Sequence, residues 1–127
     1  LKLAPGELLS RVHLPKPAAG TRSAYEKIRT RGSIDFPLAG AAVRLELDGG
    51  KVEALEVALT GVNPYPQIVK GCDAFAGKAL DDETLDELRD LVRKRSKPMR
   101  TTTVAPWYRR RVAGALARRL AARLAEG

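Results

Sequence analysis

Apolar and polar side chains alternate between residues 40 and 48. Ala41, Val43, Leu45 and Leu47 share one parity, and Ala42, Arg44, Glu46 and Asp48 the other. A period of two puts each set on one side of an extended backbone, so the stretch predicts a strand with one buried and one wet face. Residues 52–59 alternate in the same way through Leu55, Val57 and Leu59. Val52 is out of phase with them, an offset that a bulge near the start of the strand would absorb. Asp48-Gly49-Gly50 joins the two runs with residues that reach positive φ cheaply, which predicts a β-hairpin. Residues 25–30 alternate as well, Ala24 and Ile28 opposing Tyr25, Lys27 and Arg29, and predict a third strand of the same sheet. A further alternation, Leu8, Ser10, Val12 and Leu14 against Leu9, Arg11 and His13, predicts a short strand over 8–14. Pro15-Lys16-Pro17 stops it and opens a linker over 15–22.

The period then lengthens. After Pro64-Tyr65-Pro66, the residues Ile68, Val69, Cys72 and Phe75 fall at helical spacing and predict a short helix over 67–75, closed by Gly77. Residues 81–96 give the clearest helix. Asp81 or Asp82 can cap it, Leu85, Leu88, Leu91 and Val92 form its buried stripe, and Arg93, Lys94 and Arg95 face the negative end of its dipole. Ser96-Lys97-Pro98 ends it, and the β-branched run at 99–104 predicts a short strand or an extended connector. A last helix is predicted over 105–125, with Pro106 in its first turn. Tyr108, Val112, Ala115, Leu116, Leu120 and Leu124 make its apolar stripe; Arg109, Arg110, Arg118, Arg119 and Arg123 lie mostly off it, on a solvated face. The elements sum to an α+β fold: a three- to four-stranded antiparallel sheet with three helices on one face.

A chain of 127 residues, 44% hydrophobic and 30% charged, suits one soluble domain. No apolar run approaches the roughly 18 residues of a membrane span, and the N-terminal stretch has neither the apolar core nor the cleavage site of a secretory signal. The first residue is Leu1 and the sole methionine is Met99, so a piece of a longer polypeptide is expected. With Cys72 the single cysteine, no internal disulfide can form and a cytoplasmic setting is expected. The net charge of +8 is the unusual total. It is uneven: six acids cluster between residues 81 and 90, and from Arg93 to Arg123 every charge is positive. Nucleic acid, an anionic cofactor or an acidic partner surface would each answer that pattern.

Few residues carry chemistry. His13 is the one histidine and has no companion at metal-ligand spacing, so it reads as a solvent-facing strand residue. Cys72 reads as a small buried hydrophobe. Residues 71–79, GCDAFAGKA, fail as a phosphate-binding P-loop: five residues separate the glycines instead of four, and Ala79 follows Lys78 where Ser or Thr is required. The acidic cluster is explained by the helix it opens. No catalytic residue and no metal site is expected.

Longer strings are informative. Tyr25-Glu26-Lys27-Ile28-Arg29-Thr30-Arg31 followed by Asp35-Phe36-Pro37, then Leu59-Thr60-Gly61-Val62 and Tyr108-Arg109-Arg110-Arg111, resemble the C-terminal domain of the FAD-binding (medium) subunit of molybdenum hydroxylases, the xanthine dehydrogenase and CO dehydrogenase family. Pro5-Gly6-Glu7-Leu8-Leu9 resembles the segment leaving the flavin domain, so the resemblance divides the chain into that segment and its linker over 1–22 and the domain proper over 23–127. Residues 34–40, 91–94 and 100–103, with 108–112, are most similar to the β subunit of 4-hydroxybenzoyl-CoA reductase, a branch that removes the phenolic hydroxyl to give benzoyl-CoA.

The resemblance implies a supporting role in electron transfer. FAD would be held mainly by preceding domains, the molybdenum cofactor by a large partner subunit and iron–sulfur clusters by a small one. It also implies that Tyr25 and Lys27 approach FAD, Tyr25 packing on the isoalloxazine and Lys27 offering a cation to it. Positions 25 and 27 of a strand share a face. The structural alternative makes Tyr25 sheet packing and Lys27 an ordinary wet-face lysine. Arg31 and Asp35 are expected as an ion pair at the corner. The rival reading from another class is a small basic nucleic-acid-binding module. Only 5% of residues are aromatic, and no strand face interleaves them with basic residues as sheet-type RNA binders do.

Overall fold

A computed structural model describes residues 2–32, 34–100 and 104–127. Four antiparallel strands, β1 (Arg22–Ile28), β2 (Ala39–Asp48), β3 (Lys51–Thr60) and β4 (Gln67–Ile68), lie in sequence order in one sheet. Two α-helices follow, α1 (Asp82–Arg95) and α2 (Pro106–Glu126). The hairpin turn falls at Gly49 (φ 54°) and Gly50 (φ 80°), both left-handed as a tight β2–β3 turn requires. Register runs Gly40↔Thr60 to Glu46↔Ala54 and then shifts to Leu47↔Val52, leaving Glu53 as the extra residue. The bulge turns Val52 inward, where it is buried with Leu55, Val57 and Leu59. That is the offset anticipated from its parity.

Ala41, Val43 and Leu45 of β2 meet the inward residues of β3 on the covered face. Helix α2 packs across β1 and β2, and α1 packs along α2. Leu88 and Val92 of α1 and Leu116 and Leu120 of α2 are buried in the same core as the strands. Asp81 caps α1, its carboxylate accepting from the Thr84 amide at 2.8 Å. Polar ties fix α2 on the sheet: Arg119 pairs with Glu26 at 2.6 Å, and Arg22 donates to the Leu124 carbonyl at 2.7 Å.

Two expected elements differ. The helix over 67–75 is instead a two-residue strand, β4, followed by a 3-10 turn, Cys72–Phe75. The chain from 67 to 79 runs beside the outer edge of β3: Val69 donates to the Val57 carbonyl, Gly77 to the Val52 carbonyl, and Lys51 bridges Ala79. Covering an open strand edge outweighs a weak local helical pattern, and Gly71 at φ 101° breaks the would-be helix. The expected strand at 8–14 is absent. Leu8, Val12 and Leu14 are exposed and pair with no strand, and β1 is the edge strand at that end of the sheet. Of the connector at 99–104, residues 101–103 lie outside the described residues.

Candidate functional site

Helices cover one face of the sheet and leave the other open. In β1, Ala24 and Ile28 pack toward the core, so Tyr25 and Lys27 stand on the open face, opposite Ala42 and Gly40 of β2. Both are exposed, Tyr25 to 53%. This face has a floor of small residues: Gly40 and Ala42 on β2, beside Ala58 on β3. Tyr25, Arg44, Glu56 and Ile68 wall a shallow depression above it.

The Tyr25 ring lies over Gly40. A Cβ at Gly40 would sit 2.7 Å from the Tyr25 hydroxyl, 3.2 Å from its Cε2 and 2.5 Å from Thr60 Oγ1. Tyr25 and Thr60 share a long hydroxyl contact of 3.5 Å. Glycine at position 40 is therefore what lets the ring fold down against the sheet, with Thr60 beside its polar end. Lys27 forms no ion pair among the described residues, whereas Arg44, farther along the same face, is held by Glu46 at 2.5 Å and Glu56 at 3.2 Å. Lys27 thus offers an uncommitted positive charge near the ring, and Arg44 does not.

At the corner between β1 and β2, Thr30 Oγ1 donates to Asp35 at 2.6 Å and Arg31 approaches the same carboxylate at 3.6 Å. The expected Arg31–Asp35 pair is present. The Thr30 hydroxyl first, then the Phe36 backbone amide and the neighbouring Arg charges, hold the Asp35 carboxyl below the usual range.

Arg109 departs from the sequence reading. Its charge predicts a wet position on α2, but it is 9% exposed. Its guanidinium donates to three backbone carbonyls: Leu38 at 2.8 Å, Met99 at 3.2 Å, and Gly61. Leu38 precedes β2 and Gly61 follows β3, so Arg109 clamps the strand ends that carry Gly40 and Thr60. The rigid five-donor fork of Arg suits this; a lysine could not span three acceptors. The signal available was helical spacing: within Tyr108-Arg109-Arg110-Arg111, position 109 is the Arg in phase with Val112, Ala113, Leu116 and Leu120, which are buried with it.

Among the described residues no three metal-ligating side chains converge. Cys72 is buried, and burial pushes its thiol up, away from thiolate chemistry. The open face presents an exposed ring and, among the described residues, an unpaired ammonium beside a floor of small residues.

The profile of the CO dehydrogenase flavoprotein C-terminal domain matches residues 23–124. The chain belongs to this family. It is 34% identical over 118 residues to the carbon monoxide dehydrogenase medium chain of Afipia carboxidovorans, covering 92% of this chain and 41% of that one. It is 39% identical over 72 residues to the aldehyde oxidoreductase FAD-binding subunit of Escherichia coli, covering 57% of this chain and 21% of that subunit. Reconstituted CO dehydrogenase from Oligotropha carboxidovorans superposes with a TM-score of 0.80 at 32% identity, over 88% of this chain and 39% of that one. The chain spans about two fifths of the length of the CO dehydrogenase relatives. The family's fold is the one described above, an antiparallel four-stranded sheet backed by helices.

Proposed function

We propose that this chain is the C-terminal domain of the FAD-carrying medium subunit of a molybdenum-dependent oxidoreductase. In this reading residues 1–22 lead out of the flavin domain, and the open sheet face is laid against the flavin that domain holds. The supporting observation is the paired placement of Tyr25 and Lys27 on the helix-free face, the ring folded over Gly40 and the ammonium uncommitted. The residues fit the group: a flat aromatic ring above a floor of small side chains suits an isoalloxazine edge, and a free cation suits its polar rim. Bound FAD would relay electrons between redox centres of companion subunits, a molybdenum cofactor in a large one and iron–sulfur clusters in a small one. Tyr25 would pack on the flavin, Lys27 would donate to it, and Gly40 and Thr60 would hold Tyr25 in place.

The test is Lys27→Ala in the parent subunit. A charge-assisted hydrogen bond contributes roughly 1.5–3 kcal/mol, so flavin dissociation should rise about 10- to 100-fold. Unchanged flavin content together with an unchanged reduction potential would remove Lys27 from the site.

For the substrate of the parent enzyme we propose 4-hydroxybenzoyl-CoA, reduced to benzoyl-CoA. The strings at 34–40, 91–94 and 100–103, with 108–112, support that branch; the carbon monoxide and aldehyde enzymes named above support oxidation of those substrates instead. Turnover of the thioester by the purified parent complex is expected. Oxidation of CO or an aldehyde with no action on the thioester would overturn the substrate and leave the subunit assignment standing.

A further inference from the structure

On the helical side of the molecule, away from the open sheet face, α1 and α2 run antiparallel with a groove between them of about 1260 Å³. Arg118 meets Asp82 and Asp86 at one end, Gly114 lies against the Arg89 backbone in the middle, and the last turn of α1 faces the first turns of α2 at the other. Seven cationic side chains line the groove, against one carboxylate, Asp90. Some of that charge is spent internally: Arg89 pairs with Asp86 and Asp90, Arg93 with Asp90, Arg118 with Asp82 and Asp86. Lys94, Arg110 and Arg111 enter no ion pair among the described residues. They share one end of the groove with Trp107, which is 62% exposed and braced edge-on against Tyr108 at 5.9 Å.

We infer that this end of the groove is a docking surface for a carboxylate-rich segment of a companion protein subunit. The inference rests on the medium-subunit reading above. Three uncommitted cations in a concave site repel one another unless an anionic surface covers them, and a solvated helix face has no need of an exposed tryptophan. Trp and Arg together are the side chains most enriched at the energetic centres of protein interfaces, and guanidinium forks match carboxylates with two parallel hydrogen bonds. Single-stranded nucleic acid fits less well. Binding it needs successive free aromatic faces, whereas this groove presents one indole, and its remaining arginines are paired, Arg89, Arg93 and Arg118 with acids of α1 and Arg119 with Glu26 of β1. The area is separate from Tyr25 and Lys27, so flavin support and subunit docking use opposite sides of the sheet.

The experiment uses the full-length parent chain, expressed with its companion subunits, and a Lys94→Glu/Arg110→Glu/Arg111→Glu variant. Trp107→Ala serves as a second variant that leaves the charge alone. Flavin content of the parent chain, its thermal melt and the fraction assembled on a sizing column at low and high salt are read in parallel. The charge-reversed chain should keep its flavin and its melt while its affinity for the companion subunits falls roughly tenfold or more. Trp107→Ala should weaken assembly at both salt levels. Assembly unaffected in both variants overturns the docking surface. Unaffected assembly with loss of binding to a single-stranded oligonucleotide in a gel shift also overturns it, in favour of nucleic acid. A parent chain that carries no flavin yet assembles in a groove-dependent way would sink the flavin reading and leave the docking surface in place.

Discussion

Arg109 takes a permanent charge into the interior and finds carbonyls there, not a carboxylate. Its worth is in geometry, since three chain segments share one planar group. Arg109→Met removes the donors and leaves the acceptors of Leu38, Met99 and Gly61 facing an apolar side chain. A buried acceptor stripped of its partner costs about 1–3 kcal/mol, so urea denaturation should show a loss of about 3 kcal/mol. Arg109→Lys should recover only part of it, because one ammonium cannot meet all three. Full recovery by lysine would mean that charge matters and the fork does not. Periodicity could have found this residue: position 109 stands three, four, seven and eleven places before the buried Val112, Ala113, Leu116 and Leu120, so helical spacing alone puts it on the inward face, and only its charge argues for a wet one. Gly40 was silent, because what it permits is the lie of a ring from another strand. Gly40→Ala should displace the Tyr25 ring in preference to the sheet, since the crowding atoms at 2.5 and 2.7 Å belong to side chains. Alanine in a strand is preferred over glycine by roughly 0.5–1 kcal/mol, so stability should hold while flavin retention in the parent subunit falls, as it would in Tyr25→Leu. Retention at the level of the unaltered chain would show that the ring's seat over Gly40 is irrelevant to the flavin.

The helix pair is governed by close approach and by charge. An added Cβ at Gly114 would lie 2.6 Å from the Arg89 carbonyl oxygen, backbone that cannot swing aside. Gly114→Ala gains roughly 1 kcal/mol of helix propensity, against about 1–3 kcal/mol for overpacking. The steric side should win, and the melting temperature should drop; a rise would mean that the helices part freely. Asp86 gives the pair a pH dependence. The Arg118 hydrogen bond, more than any other influence, holds its carboxyl below the ordinary value of 3.8. A depressed folded-state pKa contributes stability that is complete above the unfolded value and is lost as pH falls through the folded one. The melting temperature should therefore fall as pH drops below about 4, and Asp86→Asn should make that fall shallower. Both groups are partly exposed, so the effect is that of a screened surface pair. Elements of strong period were legible in sequence: β2, β3 and their hairpin, the Val52 bulge, and both long helices. Residues 67–75 misled because their helical spacing is too short to settle anything, and the free edge of β3 claimed them as a strand. Residues 8–14 misled because alternation says what a strand would bury, not whether a neighbour exists to pair with it.

Across the whole molecule, exposed apolar side chains are unevenly spread. Leu3, Leu8, Leu9, Val12 and Leu14 lie on the N-terminal arm, and Tyr25 and Ile68 on the open sheet face. The helical side shows mainly charge, with Trp107 at the groove. In the proposed subunit the arm leads out of the flavin domain, which would supply the missing cover for both apolar zones. The difference between an uncovered and a covered arm is measurable. Where the side chains already face water, as in this 127-residue chain with Leu8 at 89% exposure, replacing Leu8, Leu9, Val12 and Leu14 with Ser removes no packing. Such surface changes stay within about 0.5 kcal/mol each. In the parent subunit the same four side chains, if buried against the flavin domain, would each contribute roughly 1.5–3 kcal/mol, and their loss should lower the denaturation midpoint of the subunit by an amount no surface effect could mimic. Paired denaturation curves, short chain and parent, with and without the four serines, read the contrast directly. Equal small shifts in both would show that the arm stays in water in the complete subunit and that the flavin domain docks elsewhere.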